Sequence, residues 1–231
     1  MEKIGDSCFF LHDEQGKRWE VKKVILALGS SDVLPDIESY SKLWKRRIYH
    51  CLFCLGYEDR GAESAGVLAV QALAMMPPLA VHMADNAAQL ARSVTIFTNG
   101  SEEVAQQLRA MTADSPFTIE TRGISKLVER EEAVEVVFQD GSSQVVAFVV
   151  HNPLTTPQGS VVQQLGLQMS PTGDIQAHAP SYQTSSRGVF AAGDCISPFK
   201  VIPHAIASGN FAAVAAATQL QAEKYGHASM V

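Results

Sequence analysis

The segment His50-Cys51-Leu52-Phe53-Cys54 sets two thiols two residues apart, with an imidazole directly before the first. Cysteines at this spacing can close a small disulfide and reopen it, so the pair is a candidate two-electron store. A low pKa at the first thiol would make it a fast one, because the thiolate is the attacking species. Zinc is the competing use of such a pair. A tetrahedral structural site normally needs a second close pair, whereas Cys8 and Cys195 each stand alone. The spacing favours redox chemistry over zinc and leaves a third reading open, two buried structural thiols. A second chemical segment is Gly188-Val189-Phe190-Ala191-Ala192-Gly193-Asp194. A strand that ends at Gly193 lets backbone approach a ligand closely. Asp194 can accept a ligand hydroxyl, and the helix expected from Pro203-His204-Ala205 onward presents free N–H groups at its start.

Three groups of elements must position these residues. Val21 to Leu28 reads as a strand covered on both faces, broken by Gly29-Ser30-Ser31 and followed by Pro35. Cys8 to Leu11 and Trp19 to Val21 flank a turn at Asp13 to Gly16, and Trp44 to Arg47 reads as a connector. From Ile48 a second group begins. Gly66 to Val70 is a short buried strand, Leu79, Met83, Ala87 and Leu90 recur at helical spacing behind Pro77-Pro78, and Val94 to Thr98 is the next strand. Glu102 to Met111 predicts a further helix, and Val134 to Phe138 with Gln144 to Val150 predicts a hairpin around Gln139-Asp140-Gly141. The third group starts near Asn152-Pro153. It is loop-rich as far as Tyr182, then gives the Gly188 strand and a long alanine-rich helix over Pro203 to Lys224.

Composition narrows the function classes. With 231 residues, 46% hydrophobic and 18% charged, the chain is long enough for one large or two small globular domains. A net charge of −6 and the lack of a basic patch interleaved with aromatics argue against a nucleic-acid partner. No apolar run reaches a membrane span, and the polar opening Met1 to Asp6 is not a secretory signal, so a cytoplasmic location is expected. Four cysteines suit a reducing compartment, where a CxxC pair is more often catalytic than structural.

The Gly188 to Asp194 segment resembles the C-terminal flavin motif of the pyridine nucleotide-disulfide oxidoreductases of thioredoxin reductase type. Ala27-Leu28-Gly29 after its strand, with Pro35 beyond, resembles that family's mid-chain Ala-Thr-Gly motif, and the CxxC lies between the two as the family's redox disulfide does. The run from Ile48 to Gly61 is most similar to the fungal gliotoxin-type dithiol oxidases. The resemblance implies an α/β fold, a dinucleotide-binding-like (Rossmann-type) domain inserted in an incomplete FAD-binding domain. The expected division is 1–45 and 153–231 for the flavin domain and 46–152 for the insert. It further implies FAD at Gly29, Gly193, Asp194, His204 and Ala205, and catalysis at Cys51 and Cys54 with His50 beside them. For His204, flavin contact and plain helix capping stand as equal readings. The substrate implied is a small-molecule dithiol of fungal secondary metabolism, oxidised to its disulfide with dioxygen as final acceptor. Cys51 would meet the substrate and Cys54 would face the flavin. A homodimer is expected where the flavin domain is complete.

The middle group bears on the electron donor independently. A nicotinamide-binding unit needs a glycine-rich turn after its first strand and arginines after its second. Gln71 to Pro78 contains no glycine, and Thr95 to Gly100 contains no arginine. NADPH is therefore not expected as a cofactor, which weighs against the alternative of an NADPH-dependent thioredoxin-disulfide reductase. A scaffold retained from a decayed nucleotide site, or a non-catalytic remnant that binds a partner, is the reading from another class. Two departures from the family pattern stand out. Leu55 occupies the place of the acidic proton donor after the second cysteine, leaving His50, Glu58 or Asp59 to supply the proton. No Gly-x-Gly-x-x-Gly turn for the ADP end of FAD occurs, so the sequence is expected to start late in the first half of the flavin domain, with weak FAD binding and exposed sheet edges.

Overall fold

The computed structural model describes residues 1–5 and 8–231. The chain divides into two compact units, Met1–Asp32 with Thr155–Val231, and Val33–Leu154. The second is thus inserted into the first, and the architecture is α/β.

In the inserted unit, five parallel strands run in the order Ile48–Tyr49, Phe148–Val150, Ala62–Leu68, Ala91–Phe97, Thr118–Glu120. Strands covered on both faces read as continuous apolar runs, and Ala65, Val67, Ile96, Phe148 and Val150 are all buried. The Pro77–Ala88 helix covers one face. Its expected stripe of Leu79, Met83, Ala87 and Leu90 is only partly the buried one. Ala80, Ala84 and Ala87 are fully buried, while Leu79, Met83 and Leu90 pack at the margin. Small residues on the inner face let the helix axis approach the sheet closely, and the larger side chains then splay along its edges. The Glu102–Met111 helix forms as expected, capped by Ser101, whose hydroxyl accepts from the Val104 N–H at 3.4 Å.

The hairpin around Asp140 also forms, but its second strand is not continuous through Val150. Ser143–Val146 pairs antiparallel with Val134–Phe138, and Phe148–Val150 leaves to join the parallel sheet. Ala147 is the crossing point, its N–H donating to the Ser64 carbonyl at 2.9 Å. Residues 33–45, expected with the flanking unit, belong to the insert. Ile37, Tyr40 and Leu43 bury themselves among Phe97, Ile124, Phe138 and Val149, and Tyr40–Leu43 is a short helix directly before the expected connector Trp44 to Arg47.

In the other unit, Val24–Leu26 pairs parallel with Val189–Ala191. The run from Val21 to Leu28 is therefore not one strand. Arg18–Val21 pairs instead with Phe9–His12 across the Asp13 turn, and Lys22-Lys23 separates the two. Lys23 explains the break, because its ammonium donates to Glu223 at 2.6 Å with the side chain almost buried. The Ile202–Tyr225 helix buries Ser208, Ala212, Ala215, Ala216, Gln219 and Ala222, and its alanines share a core with Val24, Leu26, Val189 and Phe190. No helix among the described residues is long and apolar enough to cross a membrane.

Candidate functional site

The CxxC pair sits directly after the Ile48–Tyr49 edge strand of the parallel sheet. The chain turns there, the Cys51 carbonyl accepting from the N–H groups of Cys54 at 3.1 Å and Leu55 at 3.0 Å. Gly56 completes the turn at φ 157°, where a Cβ would stand 2.8 Å from the Leu52 side chain and 3.0 Å from its carbonyl oxygen. Both cysteines are thiols in the structure; Cys51 is half-buried and Cys54 exposed. Interaction with the Cys51 side chain, then desolvation, then the charge that Cys51 would carry hold the Cys54 thiol above its ordinary range.

The turn is braced from below. Asp59 accepts from Arg47 Nη1 at 2.7 Å and from the Tyr49 hydroxyl at 2.8 Å. Burial, then the hydrogen bond to Asp59, push the Tyr49 phenol up to about 12, so it acts as a fixed donor. Glu58 receives backbone N–H groups of its own residue and of Gly56, which hold its carboxyl below the usual range. Two of the three candidate proton carriers are thus engaged as anions in holding the turn. His50 is the third. It is exposed, with its ring 6.1 Å from that of Trp44.

The turn after Ala62–Leu68 is filled by protein. Ala69, Ala72 and Leu73 are buried there, and Gln71 holds a positive φ of 49° that L-residues seldom adopt. Its side chain donates to the Val33 carbonyl at 3.0 Å and accepts from the Leu154 N–H at 3.4 Å. It thereby tethers both ends of the insert. Beyond the Thr118–Glu120 strand, Arg122 is engaged by Glu120, Asp140 and the Phe138 ring.

In the flanking unit, Gly29, Gly193, Asp194 and Ala205 line one cleft of about 510 Å³. Gly29 and Gly193 both hold left-handed φ, 66° and 81°. Lys200, missed in the sequence, also lines this cleft and fixes its floor. Its ammonium donates to the carbonyls of Asp194 at 2.9 Å and Ser197 at 2.7 Å, and to Asp174 at 3.2 Å. The long helix opens on the cleft without a side-chain cap and with Pro203 in its first turn. His204 does not line the cleft; its ring packs against Tyr182 at 6.3 Å. The helical period places it a quarter-turn from Ala205, and the neighbour lines the cleft instead. Nor is the Gly193 N–H free, since it donates to Ser208 Oγ at 3.0 Å. Two glycines without Cβ atoms, an uncapped helix start and the Asp194 carboxylate are chemistry that would suit the flavin end of FAD, which Gly29, Asp194 and Ala205 would hold.

A five-stranded parallel sheet with an edge CxxC turn, inserted into a unit with a glycine-lined cleft, defines a redox protein of the flavin- and dinucleotide-binding α/β class. The model of the pyridine nucleotide-disulphide oxidoreductases matches residues 3–209. The chain belongs to that family of FAD-dependent oxidoreductases, whose thioredoxin reductase branch acts on sulfur groups. Thioredoxin reductase sirT of Leptosphaeria maculans is 40% identical over 211 residues, covering 88% of this chain and 64% of the relative. Thioredoxin reductase tcpT of Claviceps purpurea is 38% identical over 232 residues, covering 99% of this chain and 72% of the relative. The solved oxidoreductase of Agrobacterium tumefaciens superposes with a TM-score of 0.74 at 28% identity, over 96% of this chain and 72% of that one.

Proposed function

We propose that this protein oxidises a small dithiol to its disulfide through Cys51 and Cys54, with FAD as the electron carrier and dioxygen as the final acceptor. The observation that supports it most directly is the combination, within one unit, of an accessible cysteine pair at CxxC spacing and a glycine-free turn after Ala62–Leu68 in which Ala72 and Leu73 are buried. The unit retains a cysteine pair while its turn lacks the glycines that would let backbone approach a pyrophosphate. The fungal thioredoxin reductase relatives support the disulfide chemistry, and the glycine-free turn argues against NADPH as donor.

One substrate thiolate attacks Cys51 of the oxidised pair and Cys54 leaves as a thiolate. The second substrate thiol, deprotonated, attacks the substrate sulfur of the mixed disulfide, releasing cyclic disulfide and the Cys51 thiolate. Two electrons have then moved from substrate to the cysteine pair, which is left as two thiolates, while the two thiol protons have gone to solvent and to His50. His50, with Glu58 and Asp59 engaged elsewhere, takes the proton of the incoming thiol. FAD, which Gly29, Asp194 and Ala205 would hold, would supply the two-electron route from the reduced pair to dioxygen, with hydrogen peroxide as the product. The sequence contains no Gly-x-Gly-x-x-Gly turn for the ADP end of the dinucleotide. These 231 residues are therefore expected to hold FAD weakly.

The test is oxygen uptake by FAD-saturated protein supplied with dithiothreitol, with Cys51→Ser/Cys54→Ser as the background. The expected result is uptake matched one-to-one by disulfide formed and unaffected by NADPH. Uptake equal to that of the double variant would defeat the reading.

A further inference from the structure

The cysteine turn is held mainly at its two ends. Tyr49 stands directly before the segment 50–58 and Asp59 directly after it, and the Tyr49 hydroxyl donates to Asp59 Oδ2 at 2.8 Å. The other carboxylate oxygen accepts from Arg47 Nη1 at 2.7 Å. Arg47 and Tyr49 are two residues apart on extended chain, so their side chains leave the same face and meet one carboxylate. That stretch is itself fixed. The Arg47 carbonyl accepts from the Val149 N–H at 2.9 Å, and the Tyr49 carbonyl from the His151 N–H at 3.0 Å. Tyr49 is buried, with its ring 5.8 Å from that of Phe148. On the far side, Asp59 ends a single helical turn, its N–H donating to the Gly56 carbonyl at 3.0 Å, and the Gly61 N–H donates to the Leu90 carbonyl at 2.7 Å.

Between these anchors little packing holds the segment. Within it only Gly56 is buried, Leu52 packs at the margin of the core, and Phe53, Leu55 and Tyr57 are exposed. A loop with few buried contacts keeps its shape only as far as its ends do. The shape kept here is a turn closed by the Cys54 N–H on the Cys51 carbonyl, and such a turn draws its first and fourth residues together. Those residues are the two cysteines. Disulfide closure depends on how often the two sulfurs meet, so loosening the ends lowers the effective concentration of one thiol at the other.

We propose that Asp59 is a positioning residue for the redox pair: by clasping Arg47 and Tyr49 it holds the segment in the turn that favours the Cys51–Cys54 disulfide over the dithiol. Asp59 acts through the ends of the segment and not on sulfur. The inference rests on the reading of Cys51 and Cys54 as a redox pair and deepens it, while its claim concerns an equilibrium that needs neither FAD nor substrate.

The test equilibrates the full chain, without FAD, in glutathione buffers. The S–S bond of glutathione disulfide breaks, the protein S–S bond forms, and the two thiol protons of the protein pass to the two glutathiones released. Acid quenching, alkylation and mass spectrometry of the tryptic peptide Ile48–Arg60, which contains both cysteines, give the half-oxidation point. It is expressed as the squared concentration of reduced glutathione over that of its disulfide. Asp59→Ala is expected to lower this ratio at least fivefold, a more oxidising buffer being needed. Tyr49→Phe, which leaves the Arg47 contact, is expected to lower it at least twofold. Ser101→Ala removes the cap of the Glu102–Met111 helix and is the control: it weakens the same unit away from the segment, and its ratio is expected to match the parent. A smaller shift in Asp59→Ala or Tyr49→Phe, or a shift in Ser101→Ala as large as theirs, would overturn the proposal. Should Asp59→Ala not fold, Tyr49→Phe carries the test. A parent that forms no disulfide at any ratio overturns the proposal and the dithiol reading together. Shifted variants beside a parent without thiol-dependent oxygen uptake would defeat the dithiol reading and leave the positioning role standing.

Discussion

At the scale of single residues, the two cysteines are not equivalent. Cys54 keeps its proton because the Cys51 side chain interacts with it, because the turn desolvates it, and because the Cys51 thiolate repels a second charge. Cys51→Ala removes the first and third of these causes. The Cys54 alkylation rate, followed against pH by mass spectrometry of the reduced protein, should then rise at lower pH than in the parent. An unchanged midpoint would show that desolvation alone sets it. The pair itself was legible in the sequence, because spacing alone brings i and i+3 sulfurs to one side of a turn. The roles of its neighbours were not. Glu58 and Asp59 look like free acids in sequence, and only the fold shows the Asp59 carboxylate engaged by Arg47 and Tyr49. Phe53 and Tyr57 read as ordinary apolar residues until their exposure is known, since hydrophobic character does not report burial one residue at a time.

At the scale of elements, the cysteine turn depends on a backbone that only Gly56 permits. Gly56→Ala sets a Cβ against the Leu52 side chain and carbonyl oxygen. It should lower thiol-dependent oxygen uptake at least tenfold while costing about 1–3 kcal/mol in denaturant unfolding. A stability loss with uptake intact would mean that the turn geometry is not limiting. A second element-scale consequence follows from His151, which lies fully buried behind the parallel sheet with Nδ1 2.6 Å from the Tyr40 hydroxyl. Burial pushes its imidazole down from 6.5 to about 4. The unfolded chain takes up this proton near its ordinary pKa and the folded chain resists it. Stability is therefore fully present above pH 6.5 and falls as pH drops towards 4, by roughly 2–3 kcal/mol between pH 7 and pH 4.5. Guanidinium unfolding at those two pH values should show that loss in the parent and a smaller one in His151→Phe. Equal losses in both would place the acid sensitivity elsewhere. Periodicity located the strands and helices here but not their breaks. The division at Ala147 arises from a backbone bond to Ser64, far away in sequence, and the break at Lys23 arises from an ion pair with Glu223.

At the scale of the whole molecule, the insertion of one α/β unit within another was legible from the order of three motifs. The placement of residues 33–45 was not, because Ile37, Tyr40 and Leu43 find their core among strands more than fifty residues later. The residues offered for the flavin end, Gly29, Gly193, Asp194 and Ala205, share one cleft in the fold, and that cleft also takes in Lys200, whose lysine side chain gives no motif signal. Gly193→Val should raise the FAD concentration needed for half-saturation at least tenfold in an absorbance titration, through a strained left-handed φ and a side chain at the cleft wall. A titration curve that matches the parent would remove this cleft from the flavin site. The central claim is that electrons enter from a dithiol and not from a nicotinamide. It is tested most directly by anaerobic stopped-flow mixing of the FAD-loaded protein, with dithiothreitol in one experiment and NADPH in the other, following flavin absorbance. The account predicts bleaching by the dithiol that is lost in Cys51→Ser and Cys54→Ser, with no bleaching by NADPH at a useful rate. Rapid bleaching by NADPH would contradict it and make the protein a reductase.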